Sequence, residues 1–146
     1  MTDENYYLID NNVLAKLNSV QRGSTFFLQR CRVPDAVIRE AGVDRARELE
    51  AVRYPTTPEV LRELRKVTAA MKPGDTSLID LYRNKGSADP FLIACALVEQ
   101  RRAAELLFAP EWVIITDDRG VHAAADKAFV KWLPMTSFIS SMGMFE

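Results

Sequence analysis

The sequence predicts an α/β protein in three layers, with a central parallel sheet of four or five strands between helices. Three observations lead there. The runs Tyr6-Tyr7-Leu8-Ile9 and Trp112-Val113-Ile114-Ile115 are continuously apolar rather than alternating, as strands covered on both faces are. Segments with helical periodicity and helix start signals separate the strands. Strands that are each followed by a helix build a parallel sheet with helices on both faces.

Residues 6–10 form the first strand. Asn11-Asn12 opens a helix through about Leu17, and Gln21-Arg22-Gly23-Ser24 breaks it. Thr25 to Val33 fits either a short helix leading into a strand or a single strand. Pro34-Asp35 starts the next helix, with Asp35 as its N-cap and Gly42 as its stop. Residues 44–54 read as helical but weakly amphipathic, and Tyr54-Pro55-Thr56-Thr57-Pro58 as a turn. Thr57 then caps a helix whose first position suits Pro58. It runs to about Met71, with Val60, Leu61, Leu64, Val67 and Met71 as its apolar stripe and Arg62, Arg65 and Lys66 on its polar face.

Lys72-Pro73-Gly74 ends that helix. Ser77 begins a short one, with Asp80 at capping-box spacing, and Asn84-Lys85-Gly86-Ser87-Ala88 is a loop. Asp89-Pro90 starts the most apolar helix, which ends near Leu106. A strand at 112–116, a helix from about Arg119 to Lys127, a strand from Phe129 to Leu133 and a helix from Thr136 or Ser137 complete the chain. The region 44–85 contributes helices without a strand. It reads as a helical insertion over the sheet edge, so residues 1–146 form one domain.

The chain is 48% hydrophobic and 27% charged, enough apolar surface for a core and enough charge for solubility. Its acidic, polar start lacks the pattern of a signal peptide, and its longest apolar stretch, Phe91 to Val98, is too short to cross a bilayer. Cys31 and Cys95 with one histidine cannot build a zinc site. The expected setting is the reducing cytoplasm, away from membranes. A net charge of −1 does not mark a nucleic-acid binder by itself. Cations bound at an acidic centre would leave the many arginines to dominate the surface, which suits a phosphate backbone. Arginines on exposed helix faces serve solvation equally well.

The chemistry lies in the acids. Asp10 and the pair Asp117-Asp118 end strands; Asp89 opens a helix; Glu40 lies within one. In a parallel sheet the carboxyl ends of the strands are where ligands bind. Asp10, Asp89 and Asp118 can each be explained as helix caps that favour the positive end of the helix dipole. Glu40 cannot. It follows Val37 by three residues, shares that residue's face, and needs a partner there. Two carboxylates about 4 Å apart repel by about 4 kcal/mol at an effective dielectric near 20. A hard divalent cation removes that repulsion, and oxygen-only ligands select Mg²⁺ or Mn²⁺.

The order of these motifs resembles a PIN-domain nuclease. The matching pieces are Leu8-Ile9-Asp10-Asn11-Asn12-Val13-Leu14, Val33-Pro34-Asp35-Ala36-Val37-Ile38-Arg39-Glu40, Ser87-Ala88-Asp89-Pro90-Phe91-Leu92-Ile93-Ala94 and Ile114-Ile115-Thr116-Asp117-Asp118. The segment 44–85 adds little to the match. The resemblance implies the PIN-like three-layer fold and a metal-dependent endoribonuclease, often the toxin of a toxin–antitoxin pair of the VapC type. It also implies an RNA substrate, an antitoxin partner and a homodimer. By position, Asp10, Glu40 and Asp89 match three of the family's metal-binding acids. The pattern Thr-x-Asp selects Asp118 as the fourth, with Asp117 a close competitor. Asn12 and Thr116 match the supporting polar residues. Asn11 departs from the Thr or Ser often found there. Arg119, beside the site, could hold a phosphate oxygen.

Other chemistries fit less well. A dehalogenase-type phosphatase wants an acid where Asn12 stands. A serine hydrolase needs a positioned histidine and a Gly-x-Ser-x-Gly elbow; His122 is the only histidine, reads as a surface or half-buried residue, and no such elbow exists. Asp10-Asn11-Asn12 cannot supply the glycine-rich turn of a dinucleotide site. The alternative from another class is a non-catalytic PIN-like module that binds RNA or protein and keeps its acids as caps.

Overall fold

The computed structural model describes residues 5–69 and 88–145, with side chains for residues 5–69 and 90–143. In chain order the elements are β1 (Asn5–Ile9), α1 (Asn11–Leu14), α2 (Ser19–Arg22), α3 (Thr25–Arg30), β2 (Cys31–Pro34), α4 (Asp35–Ala41) and α5 (Val43–Glu48). A 3₁₀ turn (Glu50–Val52) then leads into β3 (Arg53–Tyr54) and α6 (Pro58–Ala69). After these come α7 (Ala88–Ala103), β4 (Glu111–Ile115), α8 (Arg119–Lys127), β5 (Lys131–Leu133) and α9 (Met135–Phe145).

The strands form one open, all-parallel sheet in the order β3-β2-β1-β4-β5. This is the three-layer α/β/α arrangement that the continuous apolar runs predict. On one face Tyr7 packs against Phe26 of α3 and Phe138 of α9, with ring centroids 5.5 and 5.6 Å away. On the other, Tyr6 stacks on Trp112 at 5.0 Å, and the edge of Trp112 meets Tyr54. The Tyr54 hydroxyl donates to Glu99 of α7, which also accepts from Arg102 at 3.0 Å. Leu8, Ile9, Ile114 and Ile115 are fully buried between the layers.

Several local expectations change. The stretch from Thr25 resolves into helix α3 followed by strand β2, because the Ser24 hydroxyl accepts from Phe27 N–H and fixes a helix start. A separate short helix, α2, begins after Asn18, which forms a capping box with Gln21. The region 44–85 does hold a strand: Arg53 and Tyr54 pair with Val33 and Pro34 at the sheet edge. Two residues are too few to show a period. Residues 70–87, with the expected helix end at Lys72-Pro73-Gly74, the Ser77 helix and the Asn84 loop, lie outside the described residues.

Asp35 is not the cap of α4 but its first residue, and the Pro34 cap makes no side-chain bond. Its carboxylate turns to β3 instead, accepting from Arg53 at 2.8 Å and from Thr56 N–H at 2.8 Å. Gly42 ends α4 as expected, at a φ of +100° that side chains rarely adopt. In α6, Val60 is buried, but Leu61 is exposed and Glu63 occupies the inner face, ion-paired with Arg101 of α7 and with Lys66. α7 ends at Ala103, three residues early, and α9 starts at Met135.

Cys31 and Cys95 are buried thiols, and burial pushes both out of the range in which they ionise. No helix among the described residues is long and apolar enough to cross a membrane.

Two predictions concern this framework. Removing the Tyr54 hydroxyl breaks a hydrogen bond to a buried carboxylate, a bond class worth roughly 1.5–3 kcal/mol. Tyr54→Phe is therefore expected to cost about 2 kcal/mol in urea unfolding, and an unchanged midpoint would remove this bond from the stability account. The second concerns acid. Burial raises the Asp35 pKa, but the Arg53 and Thr56 bonds outweigh it and hold the carboxyl below the usual range. The Arg22 bond outweighs burial and, with Arg45 adding to it, holds Glu48 low. A depressed folded pKa gives stability that is present above the unfolded value and lost as pH falls through the folded one. Stability should thus decline below about pH 4, the ordinary carboxylate range. Asp35→Asn should flatten that decline in urea titrations at successive pH values.

Candidate functional site

The sheet order reverses between β1 and β4, which are joined along their whole length with Ile9 opposite Ile115. Their carboxyl ends therefore open at a topological switch point, where parallel α/β sheets bind ligands. Asp10 follows β1 and continues the ladder, its N–H donating to Ile115 O at 3.1 Å. Thr116 follows β4 and does the same to Leu133 O at 3.1 Å.

Asp10 is 3% exposed and Thr116 fully buried. Oδ1 of Asp10 accepts from Asn11 N–H at 2.7 Å, so the residue caps α1. Oδ2 accepts from the Thr116 hydroxyl at 2.6 Å and from Asn12 Nδ2 at 3.1 Å. The hydroxyl in turn accepts from Asp118 N–H at 3.1 Å, and Asn12 Oδ1 accepts from Asp117 N–H at 3.3 Å. One hydrogen-bonded group thus joins Asp10 and Asn12 from the β1 side with Thr116, Asp117 and Asp118 from the β4 side. The capping roles and the convergence at the strand ends coexist in the same carboxylates.

The two candidates for the last acid differ in their carboxylates. Oδ1 of Asp118 caps α8, accepting from Gly120 N–H at 2.8 Å and Val121 N–H at 3.4 Å. Asp117 turns outward. Its Oδ1 accepts from Met135 N–H at 2.9 Å at the start of α9, and its Oδ2 pairs with Lys16 at 3.3 Å. The Met135 N–H bond outweighs burial and, with Lys16 adding to it, holds the carboxyl below the usual range.

Glu40 lies on the last turn of α4, a helix that packs against α1 and α7. The sequence reading places it on a packed face with Val37. Val37 is buried, but Glu40 is exposed. A separation of three residues turns it some 60° from Val37, and α4 ends one residue later, so burial imposes no cost on this acid. Asp89 is the second residue of α7. Near the other end of that helix, Gln100 donates to Phe129 O at 2.9 Å, just before β5 begins. The roughly 16 Å of helix between them, at about 1.5 Å per residue, matches the height of a five-residue strand. The start of α7 therefore lies toward the carboxyl edge of the sheet, the edge that carries Asp10 and Thr116.

Among the described residues, no three His, Cys, Asp or Glu side chains are grouped closely enough to enclose a metal ion; the Asp89 side chain is outside that set. Arg119 is exposed in the first turn of α8, next to Asp118. Two neighbours of the site carry no motif in the sequence. Lys16 reaches Asp117 only through the fold, from 101 residues away. His122 returns to Thr116 one helical turn after Asp118, the single spacing that could have flagged it.

No protein-family model matches the chain, and no curated protein matches it.

Proposed function

We propose that this chain is a metal-dependent endoribonuclease of the PIN type, cleaving RNA phosphodiester bonds in the cytoplasm with Mg²⁺ or Mn²⁺. The observation that carries the reading is the Thr116–Asp10 hydrogen bond across the switch point, which holds a buried carboxylate at the place where this sheet class binds ligands. The donor set fits the ion: Asp10, Glu40, Asp89 and Asp118 offer hard oxygens only. Asp117 is the weaker fourth acid, because its exposed carboxylate faces outward to the Lys16 ammonium, which already balances its charge.

Asp10, with Glu40, Asp89 and Asp118, would hold the ion, which would supply Lewis-acid chemistry toward water and the phosphate. Asn12 and Thr116 orient Asp10 by donating to Oδ2. Lys16 and Arg119, both exposed at the rim, offer cations to the phosphates of a single strand. Hydrolysis adds water across the P–O3′ bond, leaving a 5′ phosphate and a 3′ hydroxyl. As a homodimeric toxin, the protein would arrest growth on induction and be relieved by its antitoxin.

Incubation of the purified protein with single-stranded RNA tests the reading. Cleavage should require Mn²⁺ or Mg²⁺, stop on chelation and return with excess metal. Cleavage that persists in chelator would sink it. One observation favours a second reading, a non-catalytic PIN-like module: Asp10 and Asp118 both have local work as caps. Calorimetry separates the two, since a binding module without a metal centre takes up no Mn²⁺.

A further inference from the structure

Thr116 is held at every polar atom. Its N–H donates to Leu133 O, its hydroxyl bonds Asp10 and Asp118, and its carbonyl lies 2.6 Å from His122 Nε2. A carbonyl has no hydrogen to give, so Nε2 carries the proton and donates. The imidazole cannot swing easily. It lies flat on the indole of Trp132, with centroids 3.5 Å apart and planes 9° apart. Trp132 is fixed in turn: it belongs to β5, opposite Ile114, and its Nε1–H donates to Asp126 at 3.0 Å.

The consequence runs through one peptide plane. The Thr116 carbonyl and the Asp117 N–H belong to the same planar unit and point to opposite sides of it. His122 holds the carbonyl side, and Asn12 Oδ1 holds the N–H side at 3.3 Å. That contact sets which way the Asn12 amide faces, and so directs its Nδ2 at Asp10. The same plane follows the Thr116 side chain whose hydroxyl grips Asp10.

We infer that His122 is a positioning residue for the Asp10 carboxylate, acting through the Thr116–Asp117 peptide. The inference rests on the nuclease reading for its effect on catalysis, and on geometry alone for its effect on Asp10. Three substitutions isolate the donor. His122→Gln keeps an N–H at the reach of Nε2, while His122→Met has similar length and no donor. His122→Phe keeps the flat ring on Trp132 and also lacks the donor. Outer-shell partners of this kind typically cost 10–100-fold in metal affinity or activity when removed.

The experiment measures Mn²⁺ affinity by calorimetry, kcat and KM on single-stranded RNA, and the ¹³C shift of the Asp10 carboxyl by NMR without metal. The Met and Phe variants should weaken Mn²⁺ binding and lower kcat by about tenfold or more, leave KM unchanged, and move the Asp10 carboxyl resonance. Gln should restore most of all three. Equal losses in Gln and Met, or wild-type behaviour in whichever of Met and Phe folds, would overturn the inference. A wild-type protein that neither binds Mn²⁺ nor cuts RNA defeats the nuclease reading separately. The positioning role is then decided by the carboxyl resonance, and an Asp10 signal that does not move in the donor-free variants overturns it.

Discussion

Asp10→Asn is expected to lower RNA cleavage by more than about 100-fold, beyond the usual cost of losing an outer-shell partner, and to bring Mn²⁺ binding below detection. The change is small in volume, and the side chain can still accept from Asn11 N–H, so helix α1 keeps its cap. What disappears is the negative charge and one of two carboxylate oxygens. The amide nitrogen that replaces an oxygen cannot accept from Asn12 or from the Thr116 hydroxyl, which donate at 3.1 and 2.6 Å to Oδ2, so some stability is lost as well. Activity and metal affinity should therefore fall far more than stability does. Calorimetry, a cleavage time course and a thermal melt on one preparation make the comparison. A variant that cuts RNA at the wild-type rate would remove Asp10 from the site.

Thr116→Val should damage both stability and activity. Valine matches threonine in shape, so packing around this fully buried position is kept and only the hydroxyl is lost. Asp118 N–H then loses its acceptor, and Asp10 Oδ2 loses its closest donor. Leaving a buried polar group without its partner costs about 1–3 kcal/mol, and because Oδ2 keeps the Asn12 donor a loss of about 1–3 kcal/mol is expected in urea unfolding. Thr116→Ser keeps the hydroxyl and gives up one methyl, about 0.8 kcal/mol, and should retain most cleavage. If Val and Ser behave alike, the hydroxyl is not what links the two strand ends.

Parts of this arrangement are plain in the sequence because they rest on local rules. β1 and β4 show themselves as continuous apolar runs, and each is shifted by only one residue from where it is expected. Helix α8 runs from Arg119 to Lys127 as its Asp118 cap predicts. Thr57 caps α6 in the same manner, accepting from Val60 N–H at 3.3 Å. Other elements were illegible for definite reasons. β3 has two residues and exists only because β2 lies beside it. Asp35 carries a cap signal, yet a guanidinium 18 residues on competes for its carboxylate and wins. Glu63 looks like a surface residue, and the ion pairs with Arg101 of α7 and with Lys66 make its buried position tolerable.

The same division runs through the site. The α/β class, the strands whose ends matter, and Asp10 and the Asp117-Asp118 pair at those ends are written in local pattern, while Asn12 and Thr116 are picked out by the resemblance to PIN-domain nucleases. The former follow from periodicity, capping preference and the spacing of residue types, which act over a few positions. That β1 and β4 are neighbours at the reversal of strand order, and hence that Thr116 grips Asp10 from 106 residues away, is a property of the fold. The fold also turned the Asp117 carboxylate toward Lys16 and Met135, and laid His122 between Trp132 and the Thr116 carbonyl. Those contacts depend on which strands pair and in what register, and no local preference carries that information.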